Sequence, residues 1–274
     1  MPTATQAAKA IRTTIPAVAA RFLTERRTLV LAAPDPTGRL WITQLSGPAG
    51  FLQAPDDHTL TVAARPATVD PLAGGLTGPT EVGTIALDSA GRRRMRVNGL
   101  ATPTADGGLT ITTEQVFANC PKYIQRRTPL DVERPQTPCL VSDTPELTTA
   151  QRLFTTTADT FFVATADPLG KADASHRGGL PGFLTSPAPN LLRWPEYPGN
   201  QLFMTLGNLE LNPAAALLLP DWETGSALHL SGTARTDREG VEFTVERAVE
   251  IAHATPLTWT APEYSPANPP TARY

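Results

Sequence analysis

The feature that most constrains this chain is an internal repeat, which is sought before any other motif because it dictates the architecture. Leu29 to Leu52 reads LVLAAPDPTGRLWITQLSGPAGFL, and Phe161 to Leu184 reads FFVATADPLGKADASHRGGLPGFL. Asp35, Pro36 and Gly38 match Asp167, Pro168 and Gly170. Gly47, Gly50, Phe51 and Leu52 match Gly179, Gly182, Phe183 and Leu184, all at one offset and without a gap. Each copy predicts an apolar strand, a D-P-x-G turn followed by a basic residue (Arg39, Lys171), and a second strand running into a G-x-x-G-F-L loop. That is a β-hairpin. The likeness resumes, with one residue of slippage, where GRRRMRVNGLA (Gly91 to Ala101) parallels GSALHLSGTA (Gly225 to Ala234). Short Gly/Pro turns recur by chance in β proteins, but an unbroken register over the whole stretch indicates duplication.

With 274 residues, two domains of ordinary size fit. The 28 prolines and 20 glycines suit short strands and tight turns. The expected division is a first repeat with its N-terminal helix over 1–128, a second over 144–253, and a Pro-rich tail over 254–274. The segment Arg127 to Asp143 reads as a linker, and the tail as irregular chain lying on the surface. Helices are fewer than strands. Ala4 to Glu25 carries Ile11, Ile15, Val18 and Phe22 on one face, with Pro16 kinking it or starting a second helix. Thr144-Pro145-Glu146-Leu147 predicts a helix start with Thr144 as N-cap, running to Thr157 and burying Leu147, Phe154 and Leu153. Gln201 to Asn212 carries an apolar stripe of Leu202, Phe203, Leu206 and Leu209, capped by Asn200.

Several function classes are disfavoured. No apolar run approaches the ~18 to 20 residues that cross a bilayer, and the N-terminus lacks the apolar block of a signal peptide. The two cysteines, Cys120 and Cys139, are too few for a disulfide scaffold or a four-cysteine zinc site, and fit a reducing cytoplasm. A net charge of −3 argues against nucleic acid and for a small-molecule partner. Four scattered histidines give no metal-ligand spacing, and no nucleophile-elbow motif is present.

The second copy concentrates chemistry. Asp173-Ala174-Ser175-His176-Arg177-Gly178-Gly179 brings a hydroxyl, an imidazole and a guanidinium to a strand end. The helix start at Asn200, with Thr205 and Asn208 on its polar side, is a natural phosphate seat, or else an ordinary capped helix packed on a barrel. Arg92, Arg94 and Arg96 share one strand face, read as solvated in preference to an anion site. His176 is a candidate proton donor or a satisfied turn histidine. His229, between Leu228 and Leu230, is read as structural. Asn119-Cys120-Pro121-Lys122-Tyr123 is read as a helix start with Asn119 as cap, placing Cys120 and Lys122 near the positive end.

The run A-D-A-S-H-R-G-G-x-P-G-F, followed by W-P-x-Y-x-G-N-x-x-F-x-T-L-G-N-L-x-x-N-P, resembles the FMN-binding split-barrel proteins related to pyridoxamine 5'-phosphate oxidase. In the first half, F-L-x-x-R-x-x-x-V-x-x-A-x-P-D-P-x-G-R-L-W and N-C-P-K-Y-I-Q are similar to the front barrel of two-barrel members. The stretch Glu263 to Pro270 resembles the join to a ferredoxin reductase-like module in some relatives. The resemblance covers about four-fifths of the chain. It implies a mainly β fold of two tandem split β-barrels with Greek-key order, six strands each, and a few short helices. It also implies an FMN site between two barrels, and redox chemistry on a small-molecule substrate. The cofactor-binding residues it implies are Ser175, Arg177, Trp194, Asn200, Thr205 and Asn208, covered by the first barrel around Lys122, with His176 as catalytic candidate. Met204 and Thr205 replace the Arg/Lys pair of the oxidases proper, which argues against that enzyme's own reaction.

An FMN-dependent oxidoreductase is therefore the leading expectation, with a separate flavin or ferredoxin-type reductase as a partner and a homodimer as an open possibility. The alternatives are non-catalytic binding of a flavin, heme or other small ligand, as in a sensor or stress protein, and a duplicated barrel that has lost its cofactor.

Overall fold

The computed structural model describes residues 11–199 and 203–270. In the first half, helix α1 (Ala17–Thr24) precedes strands β1 (Thr28–Pro34), β2 (Leu40–Ser46), β3 (Leu52–Asp56), β4 (Thr59–Val62), β5 (Thr80–Asp88), β6 (Arg93–Pro103) and β7 (Leu109–Ala118). Strands β8 (Pro129–Asp131) and β9 (Cys139–Thr144) and helix α2 (Thr149–Thr157) follow. The second half then runs β10 (Thr160–Ala166), β11 (Ala172–Gly178), β12 (Thr185–Ala188), β13 (Leu191–Trp194), helix α3 (Met204–Leu211), β14 (Ala214–Pro220), β15 (Ala227–Thr236), β16 (Val241–Ala252) and β17 (Leu257–Trp259).

The first sheet has the order β2-β1-β5-β6-β7-β4-β3, and the second β11-β10-β14-β15-β16-β13-β12, so one order maps onto the other strand for strand. The protein is thus mainly β, two tandem barrel-like sheets of split-barrel type, with seven strands in the shared path where six were expected, and β9 added beside β16. The repeated residues are those with backbone duties. Asp35 Oδ1 accepts from the amides of Thr37 and Arg39, and Asp167 Oδ1 from those of Leu169 and Lys171. Gly38 and Gly170 take φ of 85° and 83°, a left-handed turn conformation that a Cβ disfavours. A Cβ on Gly47 would lie 2.6 Å from Phe51, and one on Gly179 2.5 Å from Phe183.

The apolar runs in β1, β10 and β14 reflect burial on both faces. Leu29, Leu31 and Ala33 fill the first barrel, whereas Phe161, Val163, Ala215, Leu217 and Leu219 fill the second. The opposite faces, Val30, Ala32, Phe162, Ala164, Ala216 and Leu218, join Leu40, Ile42, Ala172 and Ala174 in a third cluster between the barrels. A strand that alternated apolar and polar residues could face only one core. Gly83 on β5 and Gly178 on β11 mark close approaches, because a Cβ would stand 2.4 Å from the Asp173 Cα at the first and 2.1 Å from the Tyr123 carbonyl oxygen at the second. The two barrels therefore pair within one chain.

Several boundaries differ from expectation. Helix α1 starts after Pro16, which stands at its N-cap and lacks the amide to continue a helix upstream; Arg12 bridges Val116 instead. Its buried face is Ala19 and Leu23, while Val18 is exposed. Residues before 11 lie outside the described residues. Helix α2 is capped by Thr148 in a capping box with Gln151, because Thr144 belongs to β9. Leu147 is buried as expected and Leu153 is exposed. The linker and tail are regular where they meet: β8 pairs with β17, Arg126 with Glu263, and β9 with β16. No helix forms at 119–123, where Tyr123 takes φ 66°, so the case for an activated Cys120 lapses. Among the described residues no helix is long and apolar enough to cross a membrane.

Candidate ligand cavity between the barrels

A cavity of about 420 Å³ opens where β6 of the first barrel faces β11 of the second. Arg94 and Arg96 come from β6, Asn119 and Tyr123 from the segment after β7, and Ser175, His176, Arg177 and Gly178 from β11. The loop Pro195 to Gly199 and the start of α3 (Met204, Thr205, Leu206) complete the wall, together with Phe183 and Phe203.

The arginine face of β6 is not solvated. Pairing of the barrels turns Arg94 and Arg96 onto β11, and only Arg92 points away, to the carbonyls of Ile124, Glu263 and Tyr264. Arg96 is buried and donates from Nη1 to both oxygens of the buried Asp173, at 2.9 and 2.7 Å. Asn98 Nδ2 donates to the same carboxylate at 3.1 Å and Ser175 Oγ at 3.2 Å. Asp173 is thereby saturated.

Arg94 is the exception. Among the described residues no carboxylate pairs with it; its Nη1 meets His176 Nδ1 at 2.8 Å, and its buried Nε has no partner. Burial, followed by the neighbouring charges of Arg96 and Arg177, pulls its pKa down to about 9, so it stays cationic at neutral pH. A guanidinium can only donate. His176 Nδ1 must then be the acceptor, its proton sits on Nε2, and that buried Nε2–H also lacks a partner. Burial first, then Arg94, Arg177 and Arg96, hold the His176 pKa well below its ordinary 6.5. The neutral imidazole of this tautomer is a hydrogen-bond donor through Nε2.

The other expected residues divide. Arg177 lines the cavity, with Nε held by Glu196 Oε1 at 2.8 Å. Ser175 and Thr205 also line it, but their hydroxyls meet each other at 3.0 Å and continue the Asp173 network. Trp194 is in the second core, edge-on to Phe161, with Nε1 donating to Glu196 Oε1 at 3.0 Å. Asn208 donates to Thr165 and borders a separate cavity of about 50 Å³. Lys122 is exposed and off the cavity wall. Asn200 lies outside the described residues, as do Gln201 and Leu202, and α3 begins at Met204 with Phe203 at its N-cap. His229 is buried, its Nδ1 donating to the Ile42 carbonyl at 3.0 Å.

Sequence reasoning weighed Arg94 and Arg96 as an anion site but preferred a solvated face, and did not single out Glu196 or the Tyr123–Tyr197 pair, whose rings lie 5.1 Å apart at the cavity wall. Tyr123 Oη also donates to the Pro198 carbonyl at 2.9 Å, tying the first barrel to the second. A signal for the arginines existed. In the repeat, Arg96 aligns with His229, which sits between two leucines, so that face of the strand was already marked as inward.

No family model matches the sequence, and comparison with curated proteins finds no match. Among solved structures, HupZ of Group A Streptococcus aligns at 19% identity over 39% of this chain and 88% of its own, with a TM-score of 0.28. A point variant of HupZ aligns at 16% over 43% and 98%, also at 0.28. MrkH of K. pneumonia, in complex with c-di-GMP, aligns at 11% over 88% and 87%, at 0.27. These likenesses are slight; the architecture rests on the strand order itself.

Proposed function

We propose that the protein binds FMN in the cavity between its barrels and works as a flavin-dependent oxidoreductase on a small molecule. The observation that carries this is the Arg94 guanidinium on the cavity wall, which no carboxylate neutralises among the described residues, together with the buried donors Arg94 Nε, Arg96 Nε and His176 Nε2–H, which have no partner there. A buried cation left unpaired is costly unless an anion completes it. Arg94 and Arg177 would hold the phosphate, which fits the charge of the site. Phe183, Tyr197, Pro198 and Leu206 offer the apolar walls that a planar ring needs, and the volume lies in the ~300–1,000 Å³ range of small-ligand sites.

The flavin, when bound, would carry the electrons. The protein's residues bind, orient and exclude water: Tyr123 bridges to Pro198 across the barrels, and His176 offers a fixed hydrogen bond. Electrons would come from a separate reductase or a soluble donor. A second reading is binding without turnover, with His176 held below its ordinary range by burial and by Arg94, Arg177 and Arg96 and acting as a neutral hydrogen-bond donor. A visible absorption spectrum of the purified protein, with mass analysis of the ligand released on denaturation, tests the proposal. Bound FMN supports it; a colourless protein that refuses added FMN rejects it. Reduction by a nicotinamide donor and reoxidation by substrate would separate turnover from binding.

A further inference from the structure

The duplication creates two equivalent positions for a ligand, and they are not alike. The counterpart of the β6–β11 cavity lies where β15 faces β2. There Thr43 stands for Ser175, Gln44 for His176, Ala227 for Arg94 and His229 for Arg96, so both guanidiniums are gone. Ser175 meets Thr205 of α3 and the carboxylate of Asp173 on its own strand, whereas Thr43 Oγ1 donates to the carboxylate of Asp70, a residue on the matching β4–β5 connection. Asp70 is nearly buried, and its other oxygen accepts from the Leu72 amide at 2.8 Å. The chain past β16 adds Ala254 and Thr255, leaving a space of about 10 Å³ beside His229, no more than one water. A separate space of about 190 Å³ shares Gln44 and Ala254 as walls and is bordered by Asp70 and Arg65.

We infer that the chain has one anion seat, formed by Arg94, Arg177 and His176, and that Asp70 closes the first barrel's counterpart with the chain's own carboxylate. The inference deepens the flavin reading by fixing its stoichiometry, but rests on the anion seat and not on the flavin. A tandem chain of this kind needs no second copy to complete its site.

The test uses the intact protein and two probes. Crystals grown without sulfate or phosphate are soaked in sodium tungstate, and FMN is titrated calorimetrically into wild type and Arg94→Ala. The expected results are one anomalous peak beside Arg94 and Arg177, none beside Thr43 and Asp70, and one FMN per chain. Arg94→Ala should lose the peak and at least tenfold in FMN affinity, leaving no residual stoichiometric binding. A peak beside Asp70, two FMN per chain, or full-affinity binding that survives Arg94→Ala overturns the inference, as does tungstate at neither position. A single peak beside Arg94 with no FMN binding rejects the flavin and upholds the single seat.

Discussion

Arg94 in the first barrel donates to Nδ1 of His176 in the second across 2.8 Å, and this contact fixes the proton of the imidazole on Nε2. Both residues line the cavity, and each holds a buried nitrogen without a partner among the described residues. The pair exists only because the barrels meet within one chain, so ligand affinity and barrel pairing are linked.

The first prediction separates binding from folding. Arg94→Ala removes a cation that has no carboxylate partner among the described residues, so thermal stability should hold or rise while anion affinity falls. Loss of one charge-assisted contact at about 1.5–3 kcal/mol corresponds to roughly 10- to 100-fold. Paired melting curves and FMN titrations check it; a fall in stability with unchanged affinity would make Arg94 structural.

Asp173 should behave in the opposite way. Asp173→Ala strands the buried Arg96 guanidinium and frees Asn98 and Ser175 from their common acceptor. Removing one partner of such a pair costs about 3–5 kcal/mol. Urea denaturation of the variant should show a loss in that range, and a change under about 1 kcal/mol would contradict the buried network.

The acid sensitivity follows from His176. Its folded pKa lies well below the ordinary 6.5, so the unfolded chain takes up a proton first as pH falls. The associated stability is complete above pH 6.5 and declines as pH drops below it, by up to about 1.4 kcal/mol per unit. His176→Gln should flatten the decline between pH 6.5 and 5.5 in urea titrations. Identical slopes in the two proteins would exclude His176 as the source.

Gly83 tests how closely the barrels pack. Its missing Cβ would stand 2.4 Å from backbone, not from a movable side chain tip. Gly83→Ala should therefore force β5 and β11 apart, lowering stability by about 1–3 kcal/mol and weakening ligand binding with it. Wild-type stability in this variant would show that the interface can shift.

The sequence was most legible where residues carry backbone duties. Gly38, Gly170 and the two Asp turns betray the duplication because few side chains can replace them, and the strand order follows from it. The cavity was half legible. Ser175, His176, Arg177 and Thr205 sit together on β11 and α3, which are local in sequence, and they do line it. Arg94 and Arg96 come from the other barrel, and an alternating arginine strand reads as solvated until a second sheet covers it. Trp194 looked like a ligand contact because it borders the loop that lines the cavity, yet the alternation along β13 sends its ring into the core beside Phe161. The apolar tail residues around Leu257 and Trp259 were hidden among prolines, although β17 needs only three residues to pair with β8.

The central claim is that the space between the barrels holds the phosphate of FMN. Its most direct test is a fluorescence titration of FMN and of riboflavin, which lacks the phosphate, into wild type and Arg94→Ala. The account predicts that wild type binds FMN at least tenfold more tightly than riboflavin and that Arg94→Ala removes most of that preference. Equal affinity for the two flavins in wild type, or no binding of either, would contradict it.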